Sequence, residues 1–255
     1  MKTPSHQAEV IRQFTLQAAP FARHQAHSVP ESFDIIRAMA GLDGTQRVLD
    51  AGCGPGLVCC ALAPHSRDIV GVDVTPAMIE KAQASAEAQG LQNVRFVTGH
   101  VGHLPFSDNE FDAAVTRYVF HHLEDPFEAF QEMVRVTRPG GRIVVCDAAP
   151  AAACREAYDA FEKKRDASHV TALTLEELVG LGERLHLGAV TVKRFGLPTD
   201  AESLIAASFP DGEREELLEL LRSDANRNAR GFDALVKDGK CFLTFPIAVL
   251  GWTKS

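Results

Sequence analysis

At 255 residues, 45% of them apolar and 24% charged, the chain has material for one large core that needs no disulfide or metal staple. A formal net charge of −8 argues against a nucleic-acid backbone as partner, and no apolar run reaches the length of a membrane span. The six cysteines include no CxxC pair and no Cys/His spacing suited to zinc, so the expectation is a reducing cytoplasm and no metal site.

The first forty residues pattern as helices, carried by Val10, Ile11, Phe14 and Leu16, then by Phe33, Ile35, Ile36 and Met39. Ser28-Val29-Pro30-Glu31 has the spacing of a capping box for the second of them. From Arg47 onward, short apolar runs predict strands over 47–51, 68–73, 94–98, 111–116 and 142–147, with helices starting near Gly56, Thr75 and Asp125. That alternation builds βαβ units, hence a doubly wound α/β fold with helices on both faces of a parallel sheet. Thr75-Pro76 and Asp125-Pro126 each place a capping side chain before a proline at the first helical position. Pro139-Gly140-Gly141 reads as the stop of the third helix.

After Asp147 the pattern changes. Residues 151–169 read as an extra helix, and Thr174-Leu175-Glu176-Glu177 caps another. A strand follows over 190–195, and 242–252 reads as the last strand. Residues 196–240 read as a helical insertion, with helices starting near Thr199 and Asp211, placed to cover a pocket. Without internal repeats or a low-complexity linker, 1–255 reads as one domain: cap helices over 1–42, a core over 43–150 and a lidded remainder over 151–255. Whether the insertion packs on its own core or on a second copy in a homodimer stays open.

Two motifs point to a ligand. In Val48-Leu49-Asp50-Ala51-Gly52-Cys53-Gly54-Pro55-Gly56 a buried strand gives way to a helix through three glycines, which turn tightly and let a ligand approach the backbone. Asp50 can accept hydrogen bonds from a cationic amino group. The loop departs from the dinucleotide fingerprint because Leu57 stands where its third glycine belongs, and it lacks the GK[ST] of a phosphate loop. About twenty residues on, Ile69-Val70-Gly71-Val72-Asp73 ends an apolar run with the carboxylate that grips a ribose diol in this topology. Thr75 is expected to cap the following helix, which frees Asp73 for the ligand.

These residues, with Thr98-Gly99-His100 through Asp112 and Arg138-Pro139-Gly140-Gly141-Arg142, resemble the class I S-adenosylmethionine-dependent methyltransferases. The stretches 116–126 and 162–169 resemble, more narrowly, a bacterial subgroup related to the quinone-biosynthesis methyltransferases. The resemblance implies a mostly parallel seven-stranded sheet and S-adenosylmethionine as cofactor. It implies that Asp50, Gly52, Gly54 and Arg117 line the methionine end, that Asp73 holds the ribose, that Val74 and Met78 pack on the adenine, and that Val101 also binds the cofactor. Phe14, Gln17 and Phe21 would close over the cofactor. Where the family carries an acid against the adenine amino group this chain has His100, whose neutral ring can accept one hydrogen bond.

Methyl transfer mainly requires alignment and exclusion of water; a general base is needed only where the acceptor must lose a proton. His121 and His122 follow the fourth strand, where ligands collect in open α/β sheets, and either faces an acceptor or merely joins strand to helix. His169 is the third candidate, with Arg165, Asp166 and Asp147 as further polar groups. The expected partner is a small molecule, aromatic or quinone-like by family analogy, with no nucleic acid and no membrane. The competing reading is a cofactor-binding protein with a regulatory or non-methylating role.

Overall fold

Strand β1 (Arg47–Ala51) lies inside the sheet, with Val48 and Leu49 both fully buried, because it is flanked on both edges and covered on both faces. The computed structural model describes residues 5–21, 30–210 and 214–255, except the side chains of 18–21 and 30. The Ser28–Glu31 capping box and the Phe21 side chain therefore lie outside the described residues, as does a helix start at Asp211.

On one side β1 pairs in parallel with β2 (Asp68–Asp73), which pairs with β3 (Val94–Thr98). On the other it pairs with β4 (Phe111–Arg117), which pairs with β5 (Thr137–Ala148). The order β3-β2-β1-β4-β5 reverses direction between β1 and β4, the switch point where a crevice opens beyond the carboxyl ends of the strands. Antiparallel β8 (Lys240–Thr253) and β6 (Thr191–Asp200) complete the far side, and a short β7 (Leu235–Lys237) pairs with β8. The sheet thus has eight strands, one more than expected; the extra one is a hairpin partner too short to leave a pattern in the sequence.

Alternate side chains of each central strand feed opposite cores. Val48, Ile69, Ala113 and Val144 pack with α2 (Pro30–Ala40) and α3 (Leu57–Leu62) through Ile36, Val58 and Leu62. Leu49, Val70, Ala114 and Ile143 pack with α5 (Pro126–Val136) and α7 (Leu175–Arg184) through Phe130, Met133 and Leu178. Each large side chain buried this way contributes about 1.5–3 kcal/mol. Gly182 lets α7 approach Trp252 on β8: a Cβ there would sit 2.2 Å from the indole Nε1.

The expected caps divide. Asp125 accepts the N–H groups of Phe127 (3.0 Å) and Glu128 (3.3 Å), and Thr174 and Glu177 form the reciprocal capping box. Thr75 makes no capping bond at α4 (Pro76–Ala88). Pro139-Gly140-Gly141 does not terminate a helix; α5 ends at Val136 and these residues belong to β5, which runs from Thr137.

The lid is smaller than 196–240. Residues Gly196 to Asp200 extend β6, because they find ladder partners in Pro246 to Phe242. The helices of the insertion are α8 (Ala201–Ser208), capped by Asp200 through Ser203 N–H at 2.7 Å, and α9 (Arg214–Asp224). The extra helix after β5 is α6 (Arg155–Arg165), shorter at both ends than 151–169. Helix α1 (His6–Phe21) reaches the lid, where buried Gln13 donates to Ser208 O at 2.6 Å.

Candidate active site

Past Ala51 the chain turns left-handed at Gly52 (φ 77°) and Gly54 (φ 50°). A Cβ on Gly52 would meet Val119 Cγ2 at 2.4 Å; at Gly54 there is space for one, so the demand is conformational. Asp73 holds the loop, accepting Gly54 N–H through Oδ2 and Thr75 N–H through Oδ1, each at 2.9 Å. Asp73 thus ties the glycine loop to the start of α4, and each of its oxygens keeps a lone pair for a ligand hydroxyl.

The loop borders a cavity of about 320 Å³ at the switch point. Of the residues read from sequence, Gly52, Gly54, Asp73, Val74, Met78, His100, Val101 and Arg117 line it, as do Phe14 and His122. The Arg117 guanidinium lies over the rings of Tyr118 (4.5 Å) and Phe33 (4.7 Å). Asp50 does not line the cavity. It is 1% exposed beneath the loop, where Oδ2 accepts the Cys59 thiol at 3.2 Å and Oδ1 has no partner among the described residues. Burial pushes its carboxyl up to about 7.

His100 spends its Nδ1 lone pair on Gly102 N–H at 3.1 Å. In the neutral ring the proton then sits on Nε2, so the free nitrogen donates. The expected acceptance of an adenine amino group is corrected accordingly. Glu128, on α5, borders the same cavity, and its Oε2 and the His100 Cε1 flank one point, 2.8 and 3.1 Å from where a Cβ on Gly102 would be.

A second chamber of about 100 Å³ shares Phe14, Tyr118 and His122 with the first. Tyr118 holds the junction with φ 59°, a costly conformation for a non-glycine residue. One wall is apolar, from Leu197, Leu204, Phe245 and Ile247; the other carries His121, His122, Glu162, Arg165 and Asp166. Gln17 belongs here and does not line the larger cavity, because its amide donates to Asp166 Oδ2 at 3.1 Å.

The two adjacent histidines, on the 3₁₀ turn Phe120–His122, stand in different networks. His121 Nδ1 meets Asp147 Oδ1 at 2.5 Å. Asp147 is itself fixed by the N–H groups of Phe120 (2.8 Å), Val119 (3.1 Å) and Ala148 (2.7 Å). Burial works against the His121 cation, but the charge and hydrogen bond of Asp147, with Glu162 and Asp166 behind, outweigh it and raise the ring above its ordinary value. His122 Nδ1 lies 3.1 Å from Ser168 Oγ, which donates to Asp166 Oδ1 at 2.5 Å. Since the Ser168 proton is spent on Asp166, His122 donates through Nδ1 and keeps its Nε2 lone pair. Burial, with His121 beside it, pushes His122 down to about 3.

His169 lines neither cavity; buried, it meets Asp159 Oδ1 through Nε2 at 2.8 Å, and its ring lies tilted 5.6 Å from that of His121. The structure thus places this candidate behind His121, outside both cavities. Arg165 and Asp166, which compositional reasoning places equally well on a solvent face, are 9% and 3% exposed. Sequence reasoning assigned no site role to Ser168, Glu162 and Glu128; Glu162 and Arg165 carry a readable i,i+3 signal, whereas Ser168 gains its partners only through the fold. Among the described residues no cluster suits a metal, and no helix is long and apolar enough to cross a membrane.

The larger cavity fits the proposed cofactor on its own chemistry. Among the lining residues, the Arg117 guanidinium suits the carboxylate of an amino acid, and Asp73, with a lone pair left on each oxygen, suits a vicinal diol.

Comparison with known proteins agrees. The methyltransferase domain family matches residues 49–145. The uncharacterised methyltransferase YcgJ of Bacillus subtilis is 29% identical over 219 residues, covering 85% of this chain and 87% of that one. The crystal structure of YcgJ superposes with a TM-score of 0.81 at 27% identity, over 89% of this chain and all of that one. YafE of Escherichia coli, also uncharacterised, is 30% identical over 191 residues, 74% of this chain and 92% of that one. A demethylmenaquinone methyltransferase of Clavibacter sepedonicus is 33% identical over 129 residues, about half of each chain. With a glycine loop, a carboxylate ending the next strand and this strand order around one crevice, the chain belongs to the class I S-adenosylmethionine-dependent methyltransferases.

Proposed function

We propose that the protein methylates a small flat molecule, aromatic or quinone-like, which enters the second chamber while S-adenosylmethionine fills the first. The observation that carries this reading is the junction: Phe14, Tyr118 and His122 border both spaces, so two ligands would meet there. The match to a demethylmenaquinone methyltransferase over half the chain supports the aromatic class.

In this reading Arg117 and Asp50 take the carboxylate and ammonium of the cofactor, Asp73 the ribose hydroxyls, and Val74, Met78 and Val101 the adenine faces. When bound, the cofactor supplies an electrophilic methyl group on a sulfonium. The protein's part is to hold the acceptor in line and keep water out; alignment alone accounts for about 7–11 kcal/mol in favourable cases. Helix α1 closes both spaces, with His6 Nε2 on His122 O at 2.8 Å and Gln17 on Asp166.

Calorimetric titration with S-adenosylmethionine and its demethylated product tests the first site, and mass spectrometry of phenolic and quinol acceptors after incubation tests the second. Binding of both cofactor forms and a methylated product are expected; binding without transfer to any acceptor would favour a regulatory role.

A further inference from the structure

The second chamber holds an imidazole with one nitrogen to spare. We propose that His121, oriented by Asp147, is the general base of this enzyme, and that the acceptor is a compact, uncharged molecule with an ionisable hydroxyl, phenolic or enolic. The inference rests on the reading of the second chamber as the acceptor site.

The bond to Asp147 fixes the His121 tautomer: Nδ1 carries the proton and Nε2 carries a lone pair, with no hydrogen-bond partner among the described residues. The ring lines the chamber, and Asp147 is held by three backbone N–H groups, so the pair is oriented before any ligand arrives. The charges around it favour a cation. Asp147 from β5, and Glu162 and Asp166 from α6, all act in that direction. Arg165, the opposing charge, donates two hydrogen bonds to Glu162, through Nε at 2.9 Å and Nη2 at 2.6 Å. His122, with its ring 4.1 Å away, is kept neutral, and His169 is engaged by Asp159. Tyr118 and Tyr158 both have their phenols raised, by burial first.

The neighbours do not serve as bases. Glu162 spends both oxygens on Arg165, Asp166 accepts from Ser168 and Gln17, and His122 is too weakly basic. The same inventory selects the acceptor. Three carboxylates against one guanidinium disfavour a molecule that arrives as an anion. A space of about 100 Å³ with an apolar wall suits roughly a single ring. In the step proposed, the acceptor O–H bond breaks and the proton moves to His121 Nε2. The electron pair stays on oxygen, which becomes the nucleophile, and the imidazolium rests against Asp147 until it returns the proton to solvent.

The test uses the full chain saturated with S-adenosylhomocysteine and para-nitrophenol as probe, at a pH below the phenol's own pKa, reading the phenolate absorbance. The parent is expected to ionise the bound phenol. His121→Gln is expected to bind S-adenosylhomocysteine as the parent does, with the ionised fraction down about tenfold or more. Asp147→Asn, a change in the positioning residue, is expected to lower ionisation without abolishing phenol binding. Histidine NMR of the parent gives a second reading: the His121 ring titrates above the free value, and Asp147→Asn removes that rise. If S-adenosylhomocysteine itself does not bind, the methyltransferase-site reading falls and this one with it. If it binds but the phenol does not, or the phenol ionises equally on His121→Gln, the base assignment alone is overturned.

Discussion

The Nδ1 atom of His100 accepts the backbone N–H of Gly102 at 3.1 Å, and that one bond decides what the cavity edge can recognise. The ring offers a donor to the ligand, which suits an adenine ring nitrogen and not the exocyclic amino group. An acidic side chain beside His100 at that edge is Glu128, which comes from a different element than the acid of the family pattern. Glu128→Gln is therefore expected to weaken S-adenosylhomocysteine binding by about tenfold, the scale of one charged hydrogen bond. Calorimetry checks this, and an unchanged affinity would remove Glu128 from the adenine site.

Asp50 is expected to make cofactor binding a proton-linked event. Its carboxyl, at about 7 in the folded chain against an ordinary 3.8, is largely protonated below neutrality. Between those values the folded state holds a proton that the unfolded state has lost, so this group makes stability fall as pH rises, by at most about 1.4 kcal/mol per pH unit. A ligand ammonium placed against Oδ1 reverses the preference and expels the proton. Titration with S-adenosylhomocysteine near pH 6, in two buffers of different ionisation enthalpy, is expected to show proton release that Asp50→Asn abolishes. Equal apparent enthalpies in both buffers would mean that Asp50 does not meet the ammonium.

The two neighbouring histidines act oppositely on stability. His122, at about 3 when folded and 6.5 when unfolded, contributes stability that is present above 6.5 and lost as pH falls toward 3, because the unfolded chain takes up the proton first. His121, raised in the folded state, contributes stability that is complete below 6.5 and lost as pH rises through its folded value. His122→Gln should flatten the acid limb of a stability–pH curve measured by urea unfolding, and His121→Gln the limb above neutrality. The reverse assignment would mean that the two networks have been exchanged.

What the chain reveals before folding is what local physics governs. The glycine loop, Asp73 and the Asp125 and Thr174 caps depend on residues within a turn or on strand periodicity, and they stand where the pattern put them. The loop-to-acid distance is a property of one βα unit. Ser168 meets His122 across 46 positions, and Gln17 meets Asp166 across 149, so neither contact leaves a trace in spacing. The strand character of Gly196 to Asp200 has the same origin, since its ladder partners lie more than forty residues away. His169 was legible as a polar group near the site but not as the partner of Asp159, ten residues back.

The Glu162–Arg165 pair puts a price on building a polar wall inside a lidded chamber. Glu162 is 3% and Arg165 11% exposed at the side chain, and Arg165 also donates to Ser208 Oγ on α8 at 2.6 Å, so the pair ties α6 to the lid. Removing only the cation leaves a carboxylate without solvent or partner, which costs about 3–5 kcal/mol. Replacing both groups removes the uncompensated charge and should cost far less. Arg165→Met is accordingly expected to lower unfolding free energy in urea by that amount, and Arg165→Met with Glu162→Gln to recover most of the loss. If the double variant were no more stable than the single one, the loss would belong to the Ser208 contact and the packing of the arginine stem, and the pair would hold the lid by shape more than by charge.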